Sequence, residues 1–258
     1  EVQALLGPSG VNFGSGAAGG VVNVTSRTPR LGNFFNADVT SGMTWMLRGT
    51  ADANYQIGET TALRLNMMYQ QQRITDRHLP QGERWGIAPS VAFGLGTDTT
   101  LTLEYLYYRY DEPADAGVPV VTRPGASVGR PVTEYGVSRA TWYGSNDTDR
   151  DQATINRVTA RLQHRVADWA TIYNDTRLGF ADKSYSFSVA SCDATCVSRL
   201  FNGGGVPQYS LSGGGSPYTT QTWGVQNITT GVFRFNTWSL RHEATLGLDL
   251  WYEDFQRT

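Results

Sequence analysis

The sequence predicts an all-β fold, part of a large antiparallel transmembrane β-barrel. Three observations lead to this prediction: side chains alternate between apolar and polar, several alternating segments are long, and the links between them alternate between tight and long. Strands of soluble proteins average about 5–6 residues, whereas a tilted strand that crosses a membrane needs about 9–11. The predicted strands are 33–43, 46–57, 61–73, 84–95, 98–110, 153–166, 169–187, 223–235 and 238–254.

The last predicted strand shows the alternation most clearly. From Trp238 to Tyr252 the even positions are apolar or aromatic apart from His242, whereas the odd positions include Arg241 and Glu243. Trp and Tyr rings at the ends of an apolar face are typical of membrane strands, because such rings lie at the headgroup level. The polar face predicts a water-accessible lumen, where charges cost less than in a sealed core. Further inward charges are Arg157, Arg161, Arg165, Asp175 and Arg177.

The links between the predicted strands give the orientation. Bacterial outer-membrane barrels have short periplasmic turns and long extracellular loops. We therefore predict that the tight links lie on the periplasmic side and the long links outside, with the short link around Gly42 to Trp45 as an exception. The tight links are 57–60, 96–98, 167–168 and 236–237, and the long links are 74–83, 111–152 and 188–222.

Composition excludes several classes of protein. A formal net charge of −2 at pH 7 and an isoelectric point near 5.9 provide no basic surface for nucleic acid. No run approaches the ~20 consecutive apolar residues of a membrane-spanning helix, and the mean hydropathy is −0.35. A helical membrane protein is therefore excluded, whereas a membrane barrel is not, because its alternating strands average to a polar composition.

A glycine-rich segment precedes the predicted strands. Residues 14–19 match G-x-G-x-x-G, but a dinucleotide site needs a helix after the third glycine. Residues 21–25 are Val-Val-Asn-Val-Thr, a β-branched run that predicts a strand, and no Gly-Lys-Ser/Thr follows. We interpret the glycines as tight turns of a packed domain. The positions that define the motif are Gly7, Pro8, Gly14, Gly16, Gly19, Gly20 and Asn23.

This motif, followed by long alternating strands, resembles the end of the plug domain in TonB-dependent outer-membrane receptors. The lysine that the family usually has near the end of this motif is missing, and Arg27 and Arg30 are nearby basic substitutes. Residues 84–107 are similar to a stretch of the siderophore receptors, most of all those of the ferric-catecholate type. The resemblance implies a plug remnant at 1–30 and barrel strands at 31–258, about nine strands of a 22-stranded barrel. The chain is then expected to be a fragment without the TonB box, most of the plug and the later strands.

The resemblance also implies a function, the active import of a ferric siderophore across the bacterial outer membrane. The expected partners are the ferric siderophore, the TonB complex and outer-membrane lipid, with no nucleic acid. No resident cofactor or metal is expected, because iron would arrive as part of the cargo. An anionic ferric chelate is best held by aromatic rings and Arg or Lys donors. In the predicted outer loops these candidates are Arg77, Arg123, Arg139, Trp142, Tyr143, Arg150 and Tyr218.

Two cysteines, Cys192 and Cys196, lie in a predicted outer loop rich in Ser and Gly. A C-x-x-x-C pair in a chain without further cysteines suits a small disulfide in an oxidising compartment. A metal site would require more ligands, so the disulfide is the favoured prediction.

Other candidate sites are weaker. Asp147, Asp149 and Asp151 have the opening spacing of a calcium loop, but Gln152 and Val158 occupy the positions of its Gly and Glu. The three histidines are scattered, and no serine has a histidine and an acid in a recognisable spacing. We therefore expect neither a metal site nor an enzyme.

Alternative functions come from other classes. A passive porin would share the barrel but would have no plug motif. A soluble all-β adhesin would need a closed small core, which the inward charges do not favour. A TonB-dependent receptor for another cargo, such as cobalamin or a glycan, is the nearest alternative, and the sequence leaves it open.

Overall fold

The computed structural model describes residues 2–6, 19–43, 45–74, 76–203, 207–213 and 217–258. Nine long strands form one antiparallel sheet, in which each strand pairs with the long strand that precedes it in the chain. They are β3 (Phe34–Gly42), β4 (Met46–Gln56), β5 (Ala62–Gln72), β6 (Gly82–Phe93), β7 (Thr99–Glu112), β10 (Arg150–Ala167), β11 (Ala170–Ser186), β14 (Tyr218–Thr237) and β15 (Leu240–Arg257).

The shorter elements lie before the sheet and in its long loops. They are β1 (Val2–Leu6), which pairs with β2 (Gly20–Val24); β8 (Val120–Val121), which pairs with β9 (Arg130–Pro131); a 3-10 helix (Val132–Tyr135); β12 (Ser188–Ser191), which pairs with β13 (Ser210–Gly213); and α1 (Ala194–Asn202). None of the described helices is long and apolar enough to cross a membrane.

The nine predicted long strands are confirmed in number and order, but one turn is displaced. The last turn was expected at 236–237 and lies at 238–239, where Thr237 pairs with Leu240 and Trp238 has φ of 55°. The sequence pattern assigned the Trp238 ring to the next strand. In the structure Phe235 stacks on His242 at 5.1 Å, so strand pairing continues for two residues beyond the predicted end.

Cross-strand register sorts the side chains into two faces. Asp52 and Asn54 of β4 face residues 25–33, the segment between β2 and β3, and both are buried. We call this side of the sheet the inner face. The opposite, outer face carries exposed rings such as Trp85, which lies 4.7 Å from the Tyr107 ring. This division follows the predicted alternation and places the predicted inward charges on the inner face.

A tight turn between β6 and β7 depends on one glycine. Gly94 has φ of +73°, and a Cβ there would lie 2.0 Å from the carbonyl oxygen of Thr99. Thr97 closes the same turn, because its hydroxyl donates to the Gly94 carbonyl at 2.8 Å. Any side chain at position 94 would therefore open this link.

The outer face contains one closed polar network between β11 and β14. The amide of Asn174 donates to Thr229 Oγ1 at 2.7 Å and to Asn227 Oδ1 at 3.2 Å, and the amide of Asn227 donates to Thr176 Oγ1 at 2.7 Å and to Asn174 Oδ1 at 3.3 Å. Each hydroxyl donates back to the amide oxygen of its own strand. All six hydrogens of the four side chains are used, so this polar ring, the Asn–Thr ring, leaves none of its own donors unpaired on the outer face.

Candidate ligand-binding site

The segment that leads into β3 is fixed to the inner face by a charge cluster. Asp52 Oδ2 accepts from Arg64 at 2.7 Å and from Arg27 at 2.9 Å, and Arg64 Nη1 also donates to the Thr28 carbonyl at 2.6 Å. The Asp52 and Arg64 side chains are 8% and 12% exposed. The cluster therefore connects the end of the predicted plug to two barrel strands.

Asn54, the next residue of β4 on the inner face after Asp52, extends this attachment. Its side-chain amide donates to the carbonyls of Arg30 and Gly32 at 2.7 Å, and its oxygen accepts from the Arg30 N–H at 3.0 Å. Pro29 is buried between these contacts. One polar side chain thus satisfies three backbone groups of a segment that has no strand partner at this point.

At the outer end of the sheet the two longest loops pack together. We call the described residues of 113–149 and 187–217 the loop assembly. Its core contains Val121, Val132, Tyr143 and Ala190, with Val197 and other partly buried side chains from α1 around it. Because both loops contribute to one core, each of them depends on the other for a fixed conformation.

Arg77, a predicted ligand contact, holds the loop assembly from the neighbouring 73–81 loop. Its Nε and Nη2 donate to Asp115 at 2.9 and 2.5 Å, and its remaining hydrogens reach the carbonyls of Arg139, Thr141 and Gly117. The Arg77 side chain is 7% exposed. All five donors of this guanidinium are used inside the protein, so its geometry suits a positioning residue better than a ligand contact.

Asp149 joins the loop before β10 to the loop after β11. Its carboxylate accepts from the Ser188 N–H and hydroxyl at 2.9 and 2.8 Å, from Thr148 Oγ1 at 2.9 Å and from the Ser145 N–H at 3.1 Å. Burial favours the neutral acid and opposes ionisation, but the hydrogen bonds from Ser188, Thr148 and Ser145 outweigh it and lower the pKa of Asp149 below its usual value.

Tyr143, another predicted contact, lies inside the loop core. Its ring meets that of Tyr209 edge to face at 4.9 Å, and it is 8% exposed. Among the described residues neither phenol oxygen has a hydrogen-bond partner. Burial, with the neighbouring Tyr143, raises the pKa of Tyr209 to about 12, so the Tyr209 phenol stays neutral at physiological pH.

A disulfide joins Cys192 to Cys196 in the loop assembly, with the two Cα atoms 5.1 Å apart. Helix α1 begins just after Asp193, whose side chain accepts from the Cys196 N–H at 2.8 Å. This contact is an N-cap, which satisfies a backbone donor at the start of the helix. Cys196 is 1% exposed, so the disulfide also contributes to the buried core.

The other predicted contacts lie apart from one another. Arg139 lines a cleft of about 530 Å³ together with Trp45 and Arg73, and its side chain is exposed. The Trp142 indole donates to the Ala114 carbonyl at 3.3 Å. The last three predicted contacts are also engaged: Arg123 lies over Phe201, Arg150 pairs with Asp111, and the Tyr218 ring is covered by Arg257.

The structure thus brings four predicted contacts into one region around the Asp115 loop and leaves the others dispersed; the four are Arg77, Arg139, Trp142 and Tyr143. Sequence reasoning missed Asp115, Arg73 and Tyr209. Of these three, only Arg73 could have been identified from the sequence, because it is a basic residue at the outer end of a predicted strand, next to the strand pair whose turn carries Trp45. Asp115 and Tyr209 stand far from their partners in sequence, and no local pattern identifies them.

The remaining sequence predictions concern metals and the glycine motif. Within the described ranges no three His, Cys, Asp or Glu side chains come close enough to hold a metal ion. Gly7, Pro8, Gly14 and Gly16 and the side chain of Asn23 lie outside the described residues. Gly20 begins strand β2, and the strand expected at 21–25 is present at 20–24.

Comparison with known proteins identifies relatives over nearly the whole chain, although no protein-family model matches it. The catecholate siderophore receptor Fiu of Escherichia coli K12 is 32% identical over 254 residues, which are 96% of this chain and 33% of Fiu. The probable TonB-dependent siderophore receptor PiuA of Acinetobacter baumannii is 30% identical over 187 residues, 72% of this chain and 25% of PiuA. The chain therefore spans about a third of the length of these curated relatives or less.

Solved structures of the same two receptors have the same fold. The crystal structure of the ferric-catecholate import receptor Fiu in its open form matches with a TM-score of 0.82 and 30% identity, over 98% of this chain and 39% of that one. The crystal structure of PiuA matches with a TM-score of 0.83 and 25% identity, over 99% of this chain and 35% of that one. The chain belongs to the TonB-dependent siderophore receptors of the bacterial outer membrane, and its nine long strands are part of their barrel.

Proposed function

We propose that the protein to which this chain belongs imports a ferric siderophore across the outer membrane and that its cargo is of the catecholate class. The observation that carries the proposal is the 32% identity to a catecholate siderophore receptor over 96% of the chain. A ferric catecholate is bulky, aromatic and anionic. It is best held by guanidinium donors and by aromatic rings.

The outer residues of the chain supply groups of that kind. Arg139 and Arg73 lie in one cleft with the exposed Trp45 ring, and the Arg73 guanidinium lies 5.8 Å from that ring. Arg139 lies in the loop that Arg77 holds. Arg77 donates a hydrogen bond to the Arg139 carbonyl and so fixes the backbone of Arg139. In this proposal Arg139 contacts the cargo and Arg77 positions the loop.

Transport also requires a plug that can move while remaining attached. The Asp52 cluster fixes residues 27–32 to β4 and β5 by ion pairs and backbone contacts. The TonB complex is proposed to supply the energy from the periplasm by pulling on the plug. The proposal includes no catalytic step and no resident cofactor.

A growth experiment with the full-length gene tests the proposal. In iron-starved cells that lack other siderophore receptors, we expect a ferric catecholate to restore growth, and we expect no rescue in a strain without TonB. A ferric hydroxamate, cobalamin and an oligosaccharide complete the panel. Growth or uptake with one of these, and none with the catecholate, would contradict the proposed cargo.

A matched pair of variants tests the outer contact. Arg139→Gln should weaken binding of the ferric catecholate to energy-depleted cells by about tenfold, the loss expected for one charge-assisted hydrogen bond. Arg130→Gln is the control, because Arg130 lies in the same loop and forms only an exposed ion pair with Glu134. Equal affinities for the two variants would remove Arg139 from the site.

A further inference from the structure

Arg109 of β7 lies on the outer face of the sheet, where Trp85 of β6 and Thr154 of β10 are its neighbours across the two strand pairings. Its side chain is exposed, and within the described part of the chain it forms no ion pair, hydrogen bond or ring contact. Both neighbouring strands are complete at this position. A group that compensates the Arg109 charge therefore comes from the membrane side of the barrel wall.

Aromatic rings place Arg109 at the outer headgroup level of the membrane. Tyr69 lies opposite Trp85, and the Trp85 ring packs on Tyr107 at 4.7 Å, so three rings form a belt beside Arg109. Such belts lie at the headgroup level, where an arginine on the lipid side is tolerated far better than at the middle of the bilayer. Closer to the middle of the same face, the exposed side chains are apolar, and they include Leu63, Met67 and Leu103.

Polar side chains lie one step further out on the same face. We call this row the polar rim, and its members are Gln71, Glu83, Asp111 and Gln152. Asp111 already accepts from Gln152 at 3.0 Å and lies 3.3 Å from the Arg150 guanidinium. Glu83 is a diagonal neighbour of Arg109, and among the described residues it has no ion-pair partner. Most of the rim, together with Arg150, lines a cavity of about 200 Å³.

We propose that Arg109, the polar rim and the aromatic belt bind a phosphorylated glycolipid of the outer leaflet, the lipid A part of lipopolysaccharide. The Arg109 guanidinium donates paired hydrogen bonds to a phosphate on the sugar, because its planar donors suit paired oxygens. Glu83 and Gln71 accept from sugar hydroxyls, and the acyl chains cover the apolar surface below the belt. This inference goes beyond the proposed function and holds whatever cargo the receptor imports.

The mixture of groups favours a glycolipid over a free phosphate ion. One guanidinium beside the Glu83 carboxylate gives little net attraction for a simple anion, because the carboxylate repels it. A glycolipid brings hydroxyl donors for the carboxylate together with its phosphate, and its acyl chains add the burial of apolar area. From the middle of the membrane outwards, apolar side chains, Arg109 and the polar rim thus follow the order of acyl chains, phosphate and sugar hydroxyls.

The test titrates the purified full-length receptor in detergent with bisphosphorylated lipid A and counts bound lipid by native mass spectrometry. We expect Arg109→Gln to weaken the binding of one lipid A molecule by about tenfold, the loss expected for paired charge-assisted hydrogen bonds. Arg109→Lys keeps the charge without the planar donors and should bind with intermediate affinity. Arg130→Gln is the control, because it removes an equal charge from an exposed loop pair with Glu134 and should match the wild type. Lipid A without phosphates should bind the wild type as weakly as phosphorylated lipid A binds Arg109→Gln.

Three results would overturn the lipid A site. The first is an equal affinity of the wild type and Arg109→Gln for lipid A, or no binding to either. The second is an equal loss in Arg130→Gln, which would show a general effect of net charge. The third is release of the bound lipid by excess inorganic phosphate, which would assign Arg109 to a free anion. The measurement involves no cargo, so a failure of the proposed function would leave its outcome unchanged.

Discussion

Strand β11 has two neighbours, and its two pairings are made in different ways. Towards β10 the pairing ends in a two-residue turn, Asp168–Trp169, with Ala167 opposite Ala170. Towards β14 the connection is residues 187–217, which include part of the loop assembly. A short turn sets the register of a hairpin by its own geometry, whereas a long loop leaves the register to contacts between the strands.

The Asn–Thr ring supplies such a contact where the turn is absent. Thr229 lies opposite Asn174, and Asn227 lies opposite Thr176, in the middle of the β11–β14 pairing. A shift of β14 by one residue against β11 would move Asn227 and Thr229 to the opposite face, away from Asn174 and Thr176, and leave the donors of the ring without partners. The comparison indicates that a long connection, which can take part in ligand binding, does not set the strand register by itself. Contacts between the strands then have to set it.

Of the changes considered, breaking the Asn–Thr ring should lower the free energy of unfolding most. Asn227→Leu leaves donors of Asn174 and Thr229 unpaired on a surface without water, and we expect a loss of about 3 kcal/mol in the free energy of unfolding. Val225→Leu, two residues away on the same face, is the control and should change stability little. Denaturant titration of the full-length receptor in detergent measures both, and an equal loss in the two variants would argue against the ring.

Removing the disulfide should lower the local stability of the loop that follows β11 and leave the β10–β11 turn unchanged. For Cys192→Ser/Cys196→Ser we expect the loop assembly to lose about 2 kcal/mol of local stability, the entropy expected for so short a cross-link. Hydrogen exchange should then rise in 187–203 and stay constant in the β10–β11 turn. Mass spectrometry of the unreduced wild type provides the reference, because it should show Cys192 joined to Cys196. Free thiols at both positions would contradict the assignment.

Asp149 joins the outer ends of β10 and β11, and its effect should depend on pH. Because its folded pKa is lowered, its stabilising contribution is present above the unfolded value of about 3.9 and is lost as pH falls through the folded pKa. Asp149→Asn should therefore cost about 1.5 kcal/mol at neutral pH and progressively less in acid. Asp147→Asn is the control, since the Asp147 side chain is exposed in the same loop. A cost that is the same at acidic and neutral pH would contradict the role of the carboxylate.

The sequence predicted the long strands far better than it predicted the contacts within and between the loops. Alternation identified all nine long strands, because a two-residue period is a local property of each strand. Arg77 and Asp115 come from different loops, and their pairing follows from the packing of those loops. The Asn–Thr ring is also hidden in the sequence, where Asn174 and Thr176 look like interruptions of an apolar face. They become compatible with lipid only through partners on β14.

Lengthening the two connections of β11 should have the smallest effect on the free energy of unfolding. Insertion of two glycines between Asp168 and Trp169 doubles a two-residue turn and should cost about 0.6 kcal/mol by loop-closure entropy, with strand faces preserved because the insertion is even. The same insertion after Pro207 lengthens an already long loop and should change the free energy of unfolding by far less. Paired denaturant titrations of the full-length receptor compare the two. A larger cost for the insertion after Pro207 would show that the long connection, rather than the Asn–Thr ring, sets the register of β14 against β11.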